Sequence, residues 1–143
     1  MTMILRRTEP QNPGLLPSMI NSTRNFSNEE LSCSCCGDNL MEASFLHKLQ
    51  SVRDTYASPM QVSRAYRSPE YNDRVSSTGE SGPHTTGRAI DILVSGQDAL
   101  RLVTIAIEHG MTGIGLSQKG DYTSRYCHMD DLTEGIRPHI WTY

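Results

Sequence analysis

The chain has 143 residues, 36% of them hydrophobic and 20% charged, which suits one domain with a core of its own and leaves no room for two. Thirteen Lys and Arg stand against 16 Asp and Glu for a formal charge of -3, with no basic run longer than Arg6-Arg7, so the chain lacks the electrostatic footprint of a nucleic-acid or anionic-membrane binder. No apolar run approaches the roughly 20 residues of a membrane helix, and the apolar stretch at the start is too short for a secretory signal.

In chain order, residues 1–24 are rich in Pro and Asn and lack periodicity, which predicts an extended N-terminal arm suited to a partner protein rather than to the core. The domain then runs over 25–143. Ser27 with Glu30 three residues on forms a capping box, with Phe26 and Leu31 as its hydrophobic staple. Cys33, Cys35 and Cys36 crowd into four positions while Cys127 stands alone, so the cysteines are not a disulfide framework. A C-x-C-C cluster can bind zinc, but without a second Cys or His pair at the usual ligand spacing it reads first as a thiol-lined turn ending at Gly37, with a second metal site as the alternative. Leu40, Met41, Phe45, Leu46, Leu49, Val52 and Tyr56 recur at helical spacing, which predicts a helix from Leu40 to Tyr56 closed by Pro59.

Met60 to Ser63 is a short strand candidate, and Ser68 as N-cap with Pro69 at the first helical position starts a short helix to Arg74. Residues 76–87, rich in Ser, Thr and Gly, form a long loop, a kind of segment that often carries function. Arg88 to Val94 is apolar on both faces except at Asp91, which predicts a central strand. Gln97 to His109, with Leu100, Val103, Ile107 and flanking alanines at helical spacing, is a second amphipathic helix stopped by Gly110. Thr112 to Ser117 and Tyr122 to Met129 bracket a hairpin turn at 118–121. The pattern predicts an α+β fold, a single small domain with one central, mostly antiparallel sheet and two main helices.

Three residues do not fit their surroundings: His84 in the polar loop, Asp91 in an apolar strand and His128 in another. Buried imidazoles and carboxylates need partners. Two imidazoles and one carboxylate are a catalytic zinc set that leaves a position for water. The alternative is a salt-bridged or capping Asp91 with two hydrogen-bonded histidines. Cys127 alternates to the face opposite His128 and belongs to core packing, and a Cys/His nucleophilic pair is disfavoured because adjacent strand residues diverge.

The stretch from Ser81 to Ile92, with His84, Gly87, Ala89 and Asp91, resembles the signature of the M15 zinc metallopeptidases, the D-Ala-D-Ala carboxypeptidase and L-alanyl-D-glutamate peptidase group whose relatives include the hedgehog zinc domain. Further blocks match in order: Asn25-Phe26-Ser27 with Glu30-Leu31 and the cysteines, Tyr66-Arg67-Ser68-Pro69-Glu70 with Asn72, Gly113-Ile114-Gly115, and Cys127-His128-Met129-Asp130 ahead of Trp141. The likeness spans Asn25 to Tyr143 and is nearest the compact phage and murein-endopeptidase subgroup.

The resemblance implies a hedgehog-like fold in which His84, Asp91 and His128 hold Zn2+, Arg67 meets the substrate carbonyl oxygen, and Ser81 and Tyr66 contact substrate. It implies as partner a stem peptide of peptidoglycan, with no nucleic acid or membrane, and a product that is cytoplasmic until released or virion-associated, its arm meeting virion or tail proteins. Family members carry an acid three residues before the last histidine; here that position is Arg125, which takes no proton from water. Asp130 shares a strand face with His128 and is the catalytic carboxylate candidate, or else a group that fixes His128 by hydrogen bonding. Asp131 points away, and His139 is a further acid or supporting group. The missing acid keeps a second reading open, that of a non-catalytic virion or wall-binding module that retains the zinc fold.

Overall fold

A computed structural model describes residues 21–143. Of the predicted arm, residues 1–20 lie outside the described residues. Residues 21–24 belong to the packed body: Thr23 is buried, pairs with Phe26 in an isolated bridge, and bonds through its hydroxyl to the buried Gln50.

Local chemistry sets the helices. In α1 (Asn28–Leu31) the Ser27 hydroxyl accepts from the Glu30 N–H while the Glu30 carboxylate accepts from the Ser27 N–H, the reciprocal cap expected from the sequence. The helix α2 (Ala43–Tyr56) begins three residues later than its apolar period suggested; Leu40 is exposed and lies before the helix. Its Phe45, Leu46, Leu49 and Val52 face the core. In α3 (Pro69–Val75) the Ser68 hydroxyl accepts from the Tyr71 N–H and Pro69 occupies the first turn. The helix α4 (Gly96–Glu108) buries Ala99, Leu102, Ile105 and Ala106, one stripe at helical spacing.

Five strands, β1 (Gln61–Arg64), β2 (Ala89–Leu93), β3 (Gly113–Ser117), β4 (Tyr126–Asp130) and β5 (His139–Thr142), form one sheet in the order β1-β2-β4-β3-β5. All neighbours pair antiparallel except β3 and β5, which run parallel, so the mostly antiparallel α+β architecture holds. Two sequence readings need correction. The hairpin arm does not start at Tyr122, because Tyr122–Ser124 form a 3-10 turn before β4. The C-terminal residues, given no element from sequence, supply the edge strand β5.

Alternation assigns the two faces of the sheet. Ile90, Ile92, Ile114, Cys127 and Met129 join α2 and α4 in a single core, each such buried side chain contributing about 1.5–3 kcal/mol of transfer free energy. The intervening residues project from the opposite face, where the polar loop arches over them.

Candidate metal centre and cleft

The strand register lays one row of residues across that opposite face: Arg64 beside Asp91, Asp91 beside His128, His128 beside Gly115 and Gly115 beside Trp141. The polar loop, resolved into the 3-10 turns Gly79–Ser81 and Pro83–Thr86, delivers His84 to the same place. Gly87 makes the return possible. It sits at φ 76°, and a Cβ there would lie 2.2 Å from the Leu40 carbonyl oxygen. The Glu42 N–H donates to the Gly87 carbonyl, which pins the loop to the start of α2.

His84, Asp91 and His128 are all buried, and their ligand atoms lie within 4.8 Å of one another. Asp91 Oδ1 is 2.9 Å from His128 Nδ1 and 3.3 Å from His84 Nε2, and Asp91 Oδ2 accepts from Arg64 at 2.7 Å. Burial pushes the Asp91 carboxyl up, but the imidazoles of His128 and His84 outweigh it and hold the group well below the usual carboxylate range.

The outer nitrogen of each imidazole is committed. His84 Nδ1 donates to the Ala65 carbonyl at 2.7 Å, since a carbonyl only accepts. His128 Nε2 donates to Asp130 Oδ2 at 2.7 Å. In the neutral rings the lone pairs therefore sit on His84 Nε2 and His128 Nδ1, aimed at an acceptor-only carboxylate oxygen. Such a constellation is repulsive until protons or a cation enter, and two neutral imidazoles with one carboxylate are a zinc-type donor set. These residues fit a divalent metal ion on their own geometry.

Asp130 is placed against His128 and Arg137. It is fully buried, and Arg137 grips it twice, Nε on Oδ1 at 2.9 Å and Nη2 on Oδ2 at 2.8 Å. Burial opposes its ionisation, yet Arg137 and His128 lower its carboxyl to about 2. Both its oxygens are bound, and the bond from His128 Nε2 orients that imidazole.

A cleft of about 490 Å³ opens beside the triad, and Arg67, Tyr126, His139, Trp141 and Tyr143 line it. Arg67 is half-buried there. It bonds neither Glu70 nor Asp73 but the side-chain oxygen of Asn72, at 3.1 Å, and its backbone N–H donates to the His84 carbonyl. Among the described residues no carboxylate pairs with it, and burial together with the nearby Arg64 charge lowers its pKa.

The remaining sequence candidates are placed differently. Tyr66 is a buried core residue and Ser81 is exposed at the end of its turn; neither lines the cleft, where Ser76, Ser77 and Thr78 stand instead. Arg125 donates to the Gly120 carbonyl and stacks over Tyr122, away from the triad. Asp131 points away as expected, held by Arg88 and Lys48. Cys127 is buried on the core face, where desolvation raises its thiol to about 12.

Sequence reasoning missed Arg64, Arg137 and the packing role of Trp141. The signal for the last two lies in Gly113 and Gly115. A Cβ at Gly113 would meet Asp130 Oδ1 at 2.3 Å, and one at Gly115 would meet the Trp141 indole at 2.6 Å. Alternating glycines on a strand mark a face that must receive large neighbours. A family model, peptidase M15, matches residues 24–130. No curated protein matches the chain.

Proposed function

The chain belongs to the peptidase M15 family of metallopeptidases, and on that premise we propose that it hydrolyses a peptide bond in the stem or cross-bridge of bacterial peptidoglycan. The observation that carries this reading is the buried triad whose outer hydrogen bonds leave His84 Nε2, Asp91 Oδ1 and His128 Nδ1 turned toward one another beside an open cleft. These three atoms would hold Zn2+. When bound, the ion supplies Lewis acidity, polarising a peptide carbonyl and lowering the pKa of a water molecule.

The protein groups do the rest. Arg67, without a carboxylate of its own, receives the negative charge that develops on the substrate oxygen. Arg64, bonded to Asp91 Oδ2, keeps that carboxylate ionised and oriented. Tyr143, its hydroxyl raised to about 12 chiefly by burial, stays an O–H donor for the peptide backbone. With Asp130 committed to Arg137 and Arg125 turned away, the exposed His139 on the cleft rim is the imidazole left to accept and return the proton.

Mass-spectrometric digestion of purified muropeptides by the zinc-loaded full chain tests the reading. New amine and carboxyl termini at one stem or cross-bridge bond are expected, and none from His84→Ala. One observation favours the rival, a wall-binding module without turnover: Asp91 is the only carboxylate among the described residues that line the cleft. Intact muropeptides with zinc-loaded protein that still sediments with sacculi would establish that rival.

A further inference from the structure

The second convergence of metal-ligating side chains lies outside the cleft. The turn from Cys33 to Asp38 is closed by the Cys33 N–H donating to the Asp38 carbonyl at 2.7 Å and the Gly37 N–H donating to the Cys33 carbonyl at 2.8 Å, with Gly37 at φ 79°. This fold-back turns three sulfurs toward one point. Cys33, Cys35 and Cys36 have their Sγ atoms within 4.8 Å of one another, and Cys33 and Cys35 are 3.6 Å apart. Thiolates bound to one tetrahedral zinc at about 2.3 Å sit about 3.8 Å apart, so the spacing already matches a shared ion.

The surroundings of Cys33 are those of a thiolate ligand, whereas at Cys36 the Asp38 backbone is outweighed by burial and the neighbouring Cys35, Cys33 and Asp38 side chains, which hold its thiol up at about 11. The Ser68 backbone N–H donates to Cys33 Sγ at 3.3 Å, and the Ser68 hydroxyl lies 3.9 Å from Cys33 Sγ and 3.8 Å from Cys35 Sγ. The N–H aimed at Cys33 Sγ favours its ionised form. Three thiolates this close repel one another, and a thiophilic cation removes that repulsion. Cys33 is buried, whereas Cys35 and Cys36 are exposed, so an ion has a route in.

We propose that Cys33, Cys35 and Cys36 form a second metal site that holds a thiophilic d10 cation, zinc with a solvent molecule as its fourth ligand. Among the described residues no His, Asp or Glu lies within 4.8 Å of all three sulfurs, the Asp38 carboxylate meeting Cys36, and residues 1–20 contain neither Cys nor His. Among the described residues the site is one protein ligand short of a closed structural centre, so its zinc is removable by chelators that leave a four-cysteine site loaded. Cys33 lines a separate cavity that shares Arg64 and Arg67 with the cleft. Cys33 binds the backbone of Ser68, the residue after Arg67, so the ion ties the turn to the base of the cleft guanidinium.

The test is metal content and spectrum of the full chain prepared reduced and without oxygen. Two zinc ions per wild-type chain are expected, one in Cys35→Ser/Cys36→Ser and one in His84→Ala. After cobalt replacement, wild type and His84→Ala show a near-ultraviolet thiolate-to-cobalt charge-transfer band that the double serine variant lacks. Two zinc ions retained in the serine variant, absence of that band from wild type, or a Cys33–Cys35 disulfide in the reduced preparation overturns the second site. A single ion that leaves with His84→Ala also overturns it, whereas a single ion that leaves with the serine variant sustains it and defeats the cleft reading instead.

Discussion

The strand β4 shows two ways of burying a side chain. Cys127 and Met129 point into the core and His128 and Asp130 into the site, and all four are nearly inaccessible to solvent. On the core face, burial is favourable by itself, because apolar area leaves water. On the other face every group requires a named partner: Asp91 for His128, Arg137 for Asp130, Arg64 for Asp91. Losses should therefore show up as different quantities on the two faces, stability on one and ligand binding on the other.

The sharpest way to break this contrast is to truncate one residue on each face. His84→Ala should lower turnover by more than the roughly 100-fold that a supporting contact is worth, and should remove the triad's metal. Met129→Ala should cost about 2–5 kcal/mol in urea unfolding and leave that metal in place. A Met129→Ala protein that loses metal at unchanged stability would show that the faces are not separable.

Next in size is Arg67→Ala, for which a fall of roughly 100- to 1,000-fold in kcat is expected with metal content intact, the effect of losing a donor to a developing oxyanion. Arg67→Lys should restore only part of it, since a point charge cannot reproduce the planar fork. A melting transition that drops while kcat holds would assign Arg67 to structure through Asn72 alone.

These contrasts explain what the sequence could say. Helices α1 and α3 were readable because caps act over a few residues, as Ser27 and Ser68 show. Helix α4 was readable because its apolar period is local, although it buries Ala99, Leu102, Ile105 and Ala106 while Leu100 and Ile107, which marked it in the sequence, are exposed. The triad was readable as chemistry out of place, and the resemblance joined its members. Arg64 was not, because its link to Asp91 exists only through the β1–β2 register, 27 residues apart. Arg137 and β5 follow the strand they serve and depend on space left by Gly113 and Gly115, alternating glycines that mark an open face without saying which later residues fill it. Tyr66 faces the core rather than the triad's cleft, because membership in a matching block does not say which way a side chain faces.

A smaller effect is expected of Asp130→Asn. Zinc affinity at the triad should fall 10- to 100-fold by competition with a chelator, because His128 loses the carboxylate that fixes its tautomer and Arg137 loses its ionic partner. Turnover at saturating zinc should remain, which a general-base role for Asp130 would not permit.

The gentlest perturbation is pH, and it separates the faces without any mutation. Burial pushes His128 down, but its bonds to Asp130 and Asp91 prevail and raise its pKa above the ordinary value. The proton that metal binding must displace from Nδ1 is thus held to higher pH than in a free imidazole of pKa about 6.5. Zinc affinity at the triad should fall about tenfold per pH unit once His128 is protonated, with the onset above that value. The metal-free protein should behave oppositely: a raised histidine pKa contributes stability that is complete below the unfolded pKa and is lost as pH rises through the folded one. Cys127, neutral up to about 12, gives the core face no such dependence. Chelator titrations and unfolding of the metal-free chain across this range should show the two trends crossing, and parallel trends would mean that His128 binds its proton through contacts the metal does not share.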